Sequence, residues 1–190
     1  LGVTTAMPLL LWLRMQHRAG MSVADHRRAV VAVESFVIRR LLIGAQTRGY
    51  GRAFAQVLAK LQEANRSQPG HVAETLEVEL RKKPNGAHWP SDDEVVAACT
   101  TRRFYGVDSQ QRLRLILGAI DSYLRRNNPK TEQATFDYED LTVEHIMPQT
   151  WRPHWPVSAA TEAEAELASR GRDAVVDHLG NLTLVTESLN

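Results

Sequence analysis

The chain has 190 residues, 43% hydrophobic, 24% charged and 6% aromatic, which excludes disordered and fibrous classes and allows one domain or two small ones. Its formal net charge of +1 argues against a simple polyelectrolyte binder, yet it hides a gradient. Residues 1–60 hold nine Lys/Arg against two Asp/Glu, residues 61–130 eleven against nine, and residues 131–190 three against eleven. The lone cysteine, Cys99, excludes a disulfide scaffold and a multi-cysteine zinc site within the chain, and its apolar context reads as a buried, inert thiol. The apolar run at residues 7–13 is far shorter than the ~20 residues of a membrane span, so no membrane partner and a cytoplasmic setting are expected. Lacking an initiator Met, the sequence reads as a piece of something longer.

Pro8 suits the first turn of a helix through Leu9, Leu10, Leu11, Leu13 and Met15. A second helix starts near Ser22, with Asp25 completing a capping-box variant and Val30, Val33, Val37, Ile38 and Leu41 spaced at three and four. Residues 52–65 form a third, with Phe54, Val57, Leu58 and Leu61 on one side, before Ser67-Gln68-Pro69-Gly70 breaks the chain. A shorter helix over 71–83 stops at Pro84-Asn85-Gly86, and Ser91 with Glu94 opens the next. Asp108 is expected to start a further helix with Leu113, Leu117, Ile120 and Leu124 as its stripe, closed by Asn127-Asn128-Pro129-Lys130.

Beyond Pro129 the texture changes. Residues 141–147 alternate and are β-branched, a short strand ended by Pro148, and residues 182–186 form a second. Between them lie a loop with Trp151, Pro153, Trp155 and Pro156, whose tryptophans are read first as packing, and two short helices near 161–169 and 171–177. Glu162, Glu164 and Glu166 read as a solvated face. The expected fold class is mainly α, with residues 1–130 a helical scaffold domain and 131–190 a small mixed unit. Adjacent Glu144 and His145 leave a strand on opposite faces, which suits separate roles rather than joint ligation of one ion.

Glu144-His145-Ile146-Met147-Pro148-Gln149 resembles the first motif of HNH (His-Me finger) nucleases. Thirty-six residues after His145, Asn181 lies in Leu179-Gly180-Asn181-Leu182-Thr183-Leu184, which resembles their second motif, with Asn190 where the third falls. The combination is most similar to the C-terminal nuclease region of GmrSD-type restriction endonucleases and their SspE-like relatives. Looser likeness extends to Ser35-Phe36-Val37-Ile38-Arg39-Arg40 and Arg112-Leu113-Arg114-Leu115-Ile116-Leu117.

The resemblance implies a ββα-metal nuclease unit whose final helix, the carrier of Asn190, is truncated. It implies His145 as general base, since a neutral imidazole can accept a proton from water. It places Asn181 beside it in the catalytic set, its amide pinning the loop that orients His145. Glu144 and Asn190 would be oxygen ligands of one Mg²⁺ (or Mn²⁺). The implied activity is Mg-dependent nicking of DNA by the effector half of a modification-sensing anti-phage restriction protein, partnered by an N-terminal nucleotide-hydrolysing sensor domain. Glucosylated cytosine and phosphorothioate linkages are both compatible with the resemblance.

Other residues keep two readings. His178 is a helix-end group satisfying carbonyls or a phosphate contact. Arg27, Arg39, Arg40, Arg48 and Arg52 are a phosphate-tracking stripe or the solvated face of amphipathic helices. Arg102 and Arg103, beside Phe104 and Tyr105, meet DNA or brace the nuclease unit. The rival functions are a non-catalytic DNA-binding or interaction module that retains the finger, and an HNH unit acting on RNA.

Overall fold

Apolar residues recurring every three or four positions, several runs of them preceded by a capping Ser or Thr, make helices of most of the described residues. The computed structural model describes residues 4–67, 70–82, 84–128, 130 and 137–186. In order they form α1 (Met7–Arg18), α2 (Val23–Leu42), α3 (Tyr50–Ser67), α4 (Val72–Arg81), α5 (Asp92–Thr101), α6 (Gln110–Asn127), β1 (Thr142–His145), α7 (Glu162–Val175) and β2 (Leu182–Val185). Two compact units emerge, residues 1–98 and 99–190, with the division inside α5.

In the first unit the caps are those read from the sequence. Ser22 Oγ accepts from the Asp25 amide at 3.0 Å and donates to Asp25 Oδ2 at 2.9 Å. Ser91 and Glu94 satisfy each other's amides at 2.8 and 3.1 Å. Phe36 is fully buried, its ring 6.0, 5.9 and 5.9 Å from those of Tyr50, Phe54 and Trp89. The buried face of α2 comprises Ala29, Ala32, Val33, Phe36, Val37 and Arg40, whereas the expected Val30, Ile38 and Leu41 are half-buried. The contact stripe runs through Ala29, Val33, Phe36 and Arg40 at three- and four-residue spacing, which leaves Val30, Ile38 and Leu41 at its edges.

Arg40 therefore departs from the DNA-facing stripe. It is 7% exposed, and its guanidinium donates to the Tyr50 hydroxyl at 3.1 Å, the His88 carbonyl at 3.0 Å and the Gln46 carbonyl at 3.4 Å. It also lies 5.3 Å from the Tyr50 ring centre and 5.6 Å from that of Phe36. A planar group with five donors is tolerated inside when oxygens and aromatic faces surround it. Arg39 is half-buried and bonds Ser35 Oγ, the Pro90 carbonyl and the exposed Asp92, while Arg27, Arg48 and Arg52 are exposed.

In the second unit α6 begins after Ser109, whose hydroxyl caps the Arg112 amide, rather than at Asp108, whose carboxylate bonds Arg102 instead. Leu113, Ile116 and Gly118 form its buried face. Gly118 has a steric reason: a Cβ there would stand 2.8 Å from the Tyr138 ring, whose hydroxyl donates to Asp121 Oδ2 at 2.8 Å. Ile120 and Leu124, expected in the core stripe, are exposed and line a cleft of about 400 Å³ with Leu117 and β2. β1 and β2 are antiparallel, with Glu144 opposite Thr183 and His145 opposite Leu182.

Two expectations change here. The segment before β2 is one helix, α7, because Thr161 and Glu164 close a capping box and Gly171 costs only about 1 kcal/mol inside a helix. The compact division also falls at residues 98/99, not at 130/131, because α6 supplies the surface on which both strands lie. The composition shift at Pro129 marks a change in element type, not a change in packing partners.

Candidate active site

β-branched Thr142 and Val143 favour the extended chain of β1, and its period of two sets the site. Val143 is buried and His145, on the same face, has a side chain only 7% exposed; Glu144 is half-buried on the opposite face. After His145 the chain leaves the ladder through Ile146 and Met147, and Asn181 fixes this turn. Its Oδ1 accepts from the Met147 amide at 2.8 Å, and its Nδ2 donates to the Met147 and Val176 carbonyls at 2.9 and 2.8 Å. Its own carbonyl accepts from the Ile146 amide at 2.8 Å. With both amide hydrogens engaged, this side chain holds backbone.

Asp177 occupies the centre of the site and is 6% exposed. Its Oδ1 lies 3.1 Å from His145 Nε2 and accepts from Gln149 Nε2 at 3.2 Å, while Oδ2 accepts from Arg103 Nη2 at 2.5 Å. Burial alone would push this carboxyl up. The hydrogen bonds from Gln149, His145 and Arg103, with the Arg103 charge, instead hold it below the ordinary carboxylate value. The Asp177 carbonyl is also engaged, by the amides of Phe104 at 2.9 Å and Tyr105 at 3.2 Å.

Residues 102–106 therefore belong to the site. Arg103 and His178 form an antiparallel bridge, and the Tyr105 ring meets the His145 ring edge-on, centres 4.3 Å apart. Gly106, at φ +77°, turns the chain away, a conformation that side-chain-bearing residues rarely adopt. Phe104 is fully buried beneath the Arg102 guanidinium, 4.4 Å away, and Arg102 bonds Asp108 at 2.5 Å. Of the two readings for this segment, Arg102 and Phe104 fit bracing, while Arg103 remains exposed beside the carboxylate it bonds. The half-buried His178 uses its backbone in the bridge and in an amide bond to the Val175 carbonyl.

Trp151 anchors the loop after the first motif. It is 2% exposed, its indole N–H donates to Asp173 Oδ1 at 3.0 Å, and the Arg152 and Arg172 guanidinia each lie 5.0 Å from its ring centre. Trp155 is 44% exposed and engages through its carbonyl, which accepts from Arg172. Cys99, expected to be buried, is half-buried; burial raises its thiol above the ordinary value against the pull of Arg102.

His145, Asn181, His178 and Arg103 are thus brought together, with Glu144 on the same strand as His145. Arg27, Arg39, Arg40, Arg48 and Arg52 belong to the first unit, and Asn190 lies outside the described residues. Among the described residues no group of three His, Cys, Asp or Glu could hold a metal; Glu144 offers one carboxylate. Sequence reasoning missed Asp177. Its only signal was position, an acid directly before His178-Leu179-Gly180-Asn181 in the second motif.

Fold and site together define a mainly helical protein with a strand histidine bound to a buried carboxylate beside a side-chain-clamped turn. The family model of the C-terminal domain of GmrSD restriction endonucleases matches residues 89–190, and the chain belongs to that family. It therefore carries a nuclease domain related to restriction endonucleases, with DNA as the substrate the family implies. No curated protein and no solved structure matches the chain. No described helix is long and apolar enough to cross a membrane.

Proposed function

We propose that this chain is the effector half of a modification-sensing anti-phage restriction protein, and that it nicks DNA by metal-dependent hydrolysis with an HNH-type ββα site. The observation that carries this reading is His145. It is fixed at the end of a strand, oriented by a hydrogen bond to Asp177 and packed edge-on by Tyr105, both within the family-matched segment.

His145 takes a proton from a water whose oxygen bonds to the scissile phosphorus. The P–O3′ bond breaks, and the departing 3′-oxygen takes up a proton from solvent. Asn181 keeps the turn after β1 in place, so that the imidazole does not swing on its strand end. Arg103 is exposed next to His145's carboxylate partner and is available to a phosphate oxygen; His178 is the neighbouring candidate for the same contact. Arg27, Arg48 and Arg52 are left as candidate backbone contacts.

Mg²⁺, or Mn²⁺ in its place, fits the donor chemistry, because a hard cation that keeps several waters needs only one or two protein oxygens, here Glu144 and Asn190. When bound, such an ion stabilises charge on the phosphoryl oxygen and on the departing 3′-oxygen. The N-terminal sensor of the intact protein, hydrolysing a nucleotide, would choose the modified DNA.

Supercoiled plasmid incubated with Mg²⁺ or Mn²⁺ tests the reading. The chain should produce relaxed circles, and His145→Ala should lower the rate by about 10²-fold or more. Equal nicking by both proteins would remove His145 from the chemistry. Intact plasmid with both would favour the non-catalytic module.

A further inference from the structure

We propose that Asp177 is the positioning residue of the site: it holds His145 with Nε2 as the proton-bearing nitrogen and leaves Nδ1 as the one that takes the proton from water. The inference rests on the nuclease reading but assigns a residue and an atom that it leaves open.

The geometry carries it. Three side chains, Arg103 from ahead of α6 and His145 and Gln149 from the first motif, converge on one carboxylate that is almost wholly enclosed. Gln149 Nε2 and Arg103 Nη2 carry only hydrogens toward it, so both carboxylate oxygens serve as acceptors. An acceptor oxygen 3.1 Å from His145 Nε2 requires the proton on that nitrogen, which leaves the lone pair of the neutral ring on Nδ1. The backbone restricts movement as well, because the Asp177 carbonyl is held by the Phe104 and Tyr105 amides and Tyr105 packs edge-on against the imidazole.

A carboxylate so placed does two things. It selects one tautomer and one ring orientation before substrate arrives. It then faces the imidazolium that forms when Nδ1 takes the proton, and stabilises that charge where water is largely excluded. Asp177 does not itself change protonation state, and it touches neither water nor phosphate. Arg103 has a second part: it neutralises the carboxylate from the other side, which keeps a buried negative charge from standing opposed to an incoming phosphodiester.

Asp177→Asn in the full 190-residue chain tests the assignment, because the amide preserves shape yet can turn an N–H toward His145 Nε2. Nicking of supercoiled plasmid should show kcat reduced by about 10²-fold, with KM changed by less than about twofold. A folded Asp177→Asn protein with unchanged kcat would overturn the proposal. Imidazole ¹⁵N spectra in alkaline buffer, where a histidine ring carries one proton, supply a readout that needs no cleavage and no variant. The native chain should show His145 protonated on Nε2, with that proton shifted downfield by its carboxylate partner and slow to exchange. A His145 protonated on Nδ1, or an Nε2 proton in free exchange with water, would overturn it even if Asp177→Asn failed to fold. The nuclease reading fails separately, if the native chain does not nick DNA or His145→Ala nicks it equally well; neither result alters the tautomer.

Discussion

The two units are held by different forces. The first is organised around one large apolar cluster that runs from Ala6 to Ala87 and gathers α1 to α4, with Arg40 as its buried polar member. The second buries fewer large side chains among its described residues, chiefly Phe104, Leu113, Ile116, Val143, Trp151 and Leu182. There, polar side chains reach across the chain to fix backbone and rings: Asn181 on the turn after β1, Asp177 on His145, Asp173 on Trp151. Apolar packing is non-directional and tolerates small shifts, whereas a hydrogen-bonded clamp specifies geometry to fractions of an ångström. The first property suits a packed helical unit, and the second suits a site whose side chains must keep a fixed geometry.

Substitutions in each unit can break this contrast. The largest effect is expected for Phe36→Ala, which empties the aromatic centre of the first unit and should cost about 3–5 kcal/mol in urea unfolding. Asn181→Ala removes far fewer atoms, yet it orphans the Met147 amide and the Met147 and Val176 carbonyls, for about 3 kcal/mol. Hydrogen exchange at Ile146 and Met147 should then accelerate before exchange elsewhere in the second unit. If Asn181→Ala proved as mild as an ordinary surface change, the picture of a polar clamp would be wrong.

Gly118→Ala would ordinarily strengthen a helix, but the added methyl meets the Tyr138 ring at 2.8 Å. A net loss of about 2 kcal/mol in thermal or urea unfolding is expected, as for other overpacked sites. Stabilisation would show that the Tyr138 turn moves aside freely.

The smallest effect is a pH dependence. Asp177 has its carboxyl held below the ordinary value, so its contribution to stability is fully present above the unfolded pKa, about 3.9. That contribution is lost only as pH falls through the lower folded value. Asp121 behaves alike, held down by its hydrogen bond to Arg125, against burial, with Tyr138 and the Arg125 charge assisting. Melting curves of the second unit should therefore be flat from neutrality to about pH 4 and fall below it. A decline beginning near pH 6 would point to other groups.

How much of this was legible in the sequence followed from how local each signal was. The Ser22 and Ser91 caps and the two strands depend mostly on neighbours a few residues away, and they read correctly. Arg40 did not, since the oxygens of Tyr50, Gln46 and His88 that receive it are assembled only by folding. Asp177 was hidden for the same reason, its partners Arg103, His145 and Gln149 lying 74, 32 and 28 residues away. The unit boundary was misplaced because composition changes at Pro129 while packing changes inside α5. Counted by the compact units, the charge gradient also softens: thirteen Lys/Arg face nine Asp/Glu in residues 1–98, and ten face thirteen in residues 99–190. The −8 that residues 131–190 show in isolation is partly offset by the arginines of α6 and the 102–103 pair.

The short segment from Arg103 to Tyr105 also governs how portable the candidate site is. Its amides and guanidinium close the site from outside the two motifs, and they come from a stretch that precedes the first motif by some forty residues. A graft of residues 131–190 into another protein would carry both motifs and yet leave His145 uncovered on one side and Asp177 without its cation. The smallest piece that can be transplanted with the contacts of Asp177 intact begins ahead of Arg102, so recombination between relatives should be tolerated in α5 and penalised at Pro129.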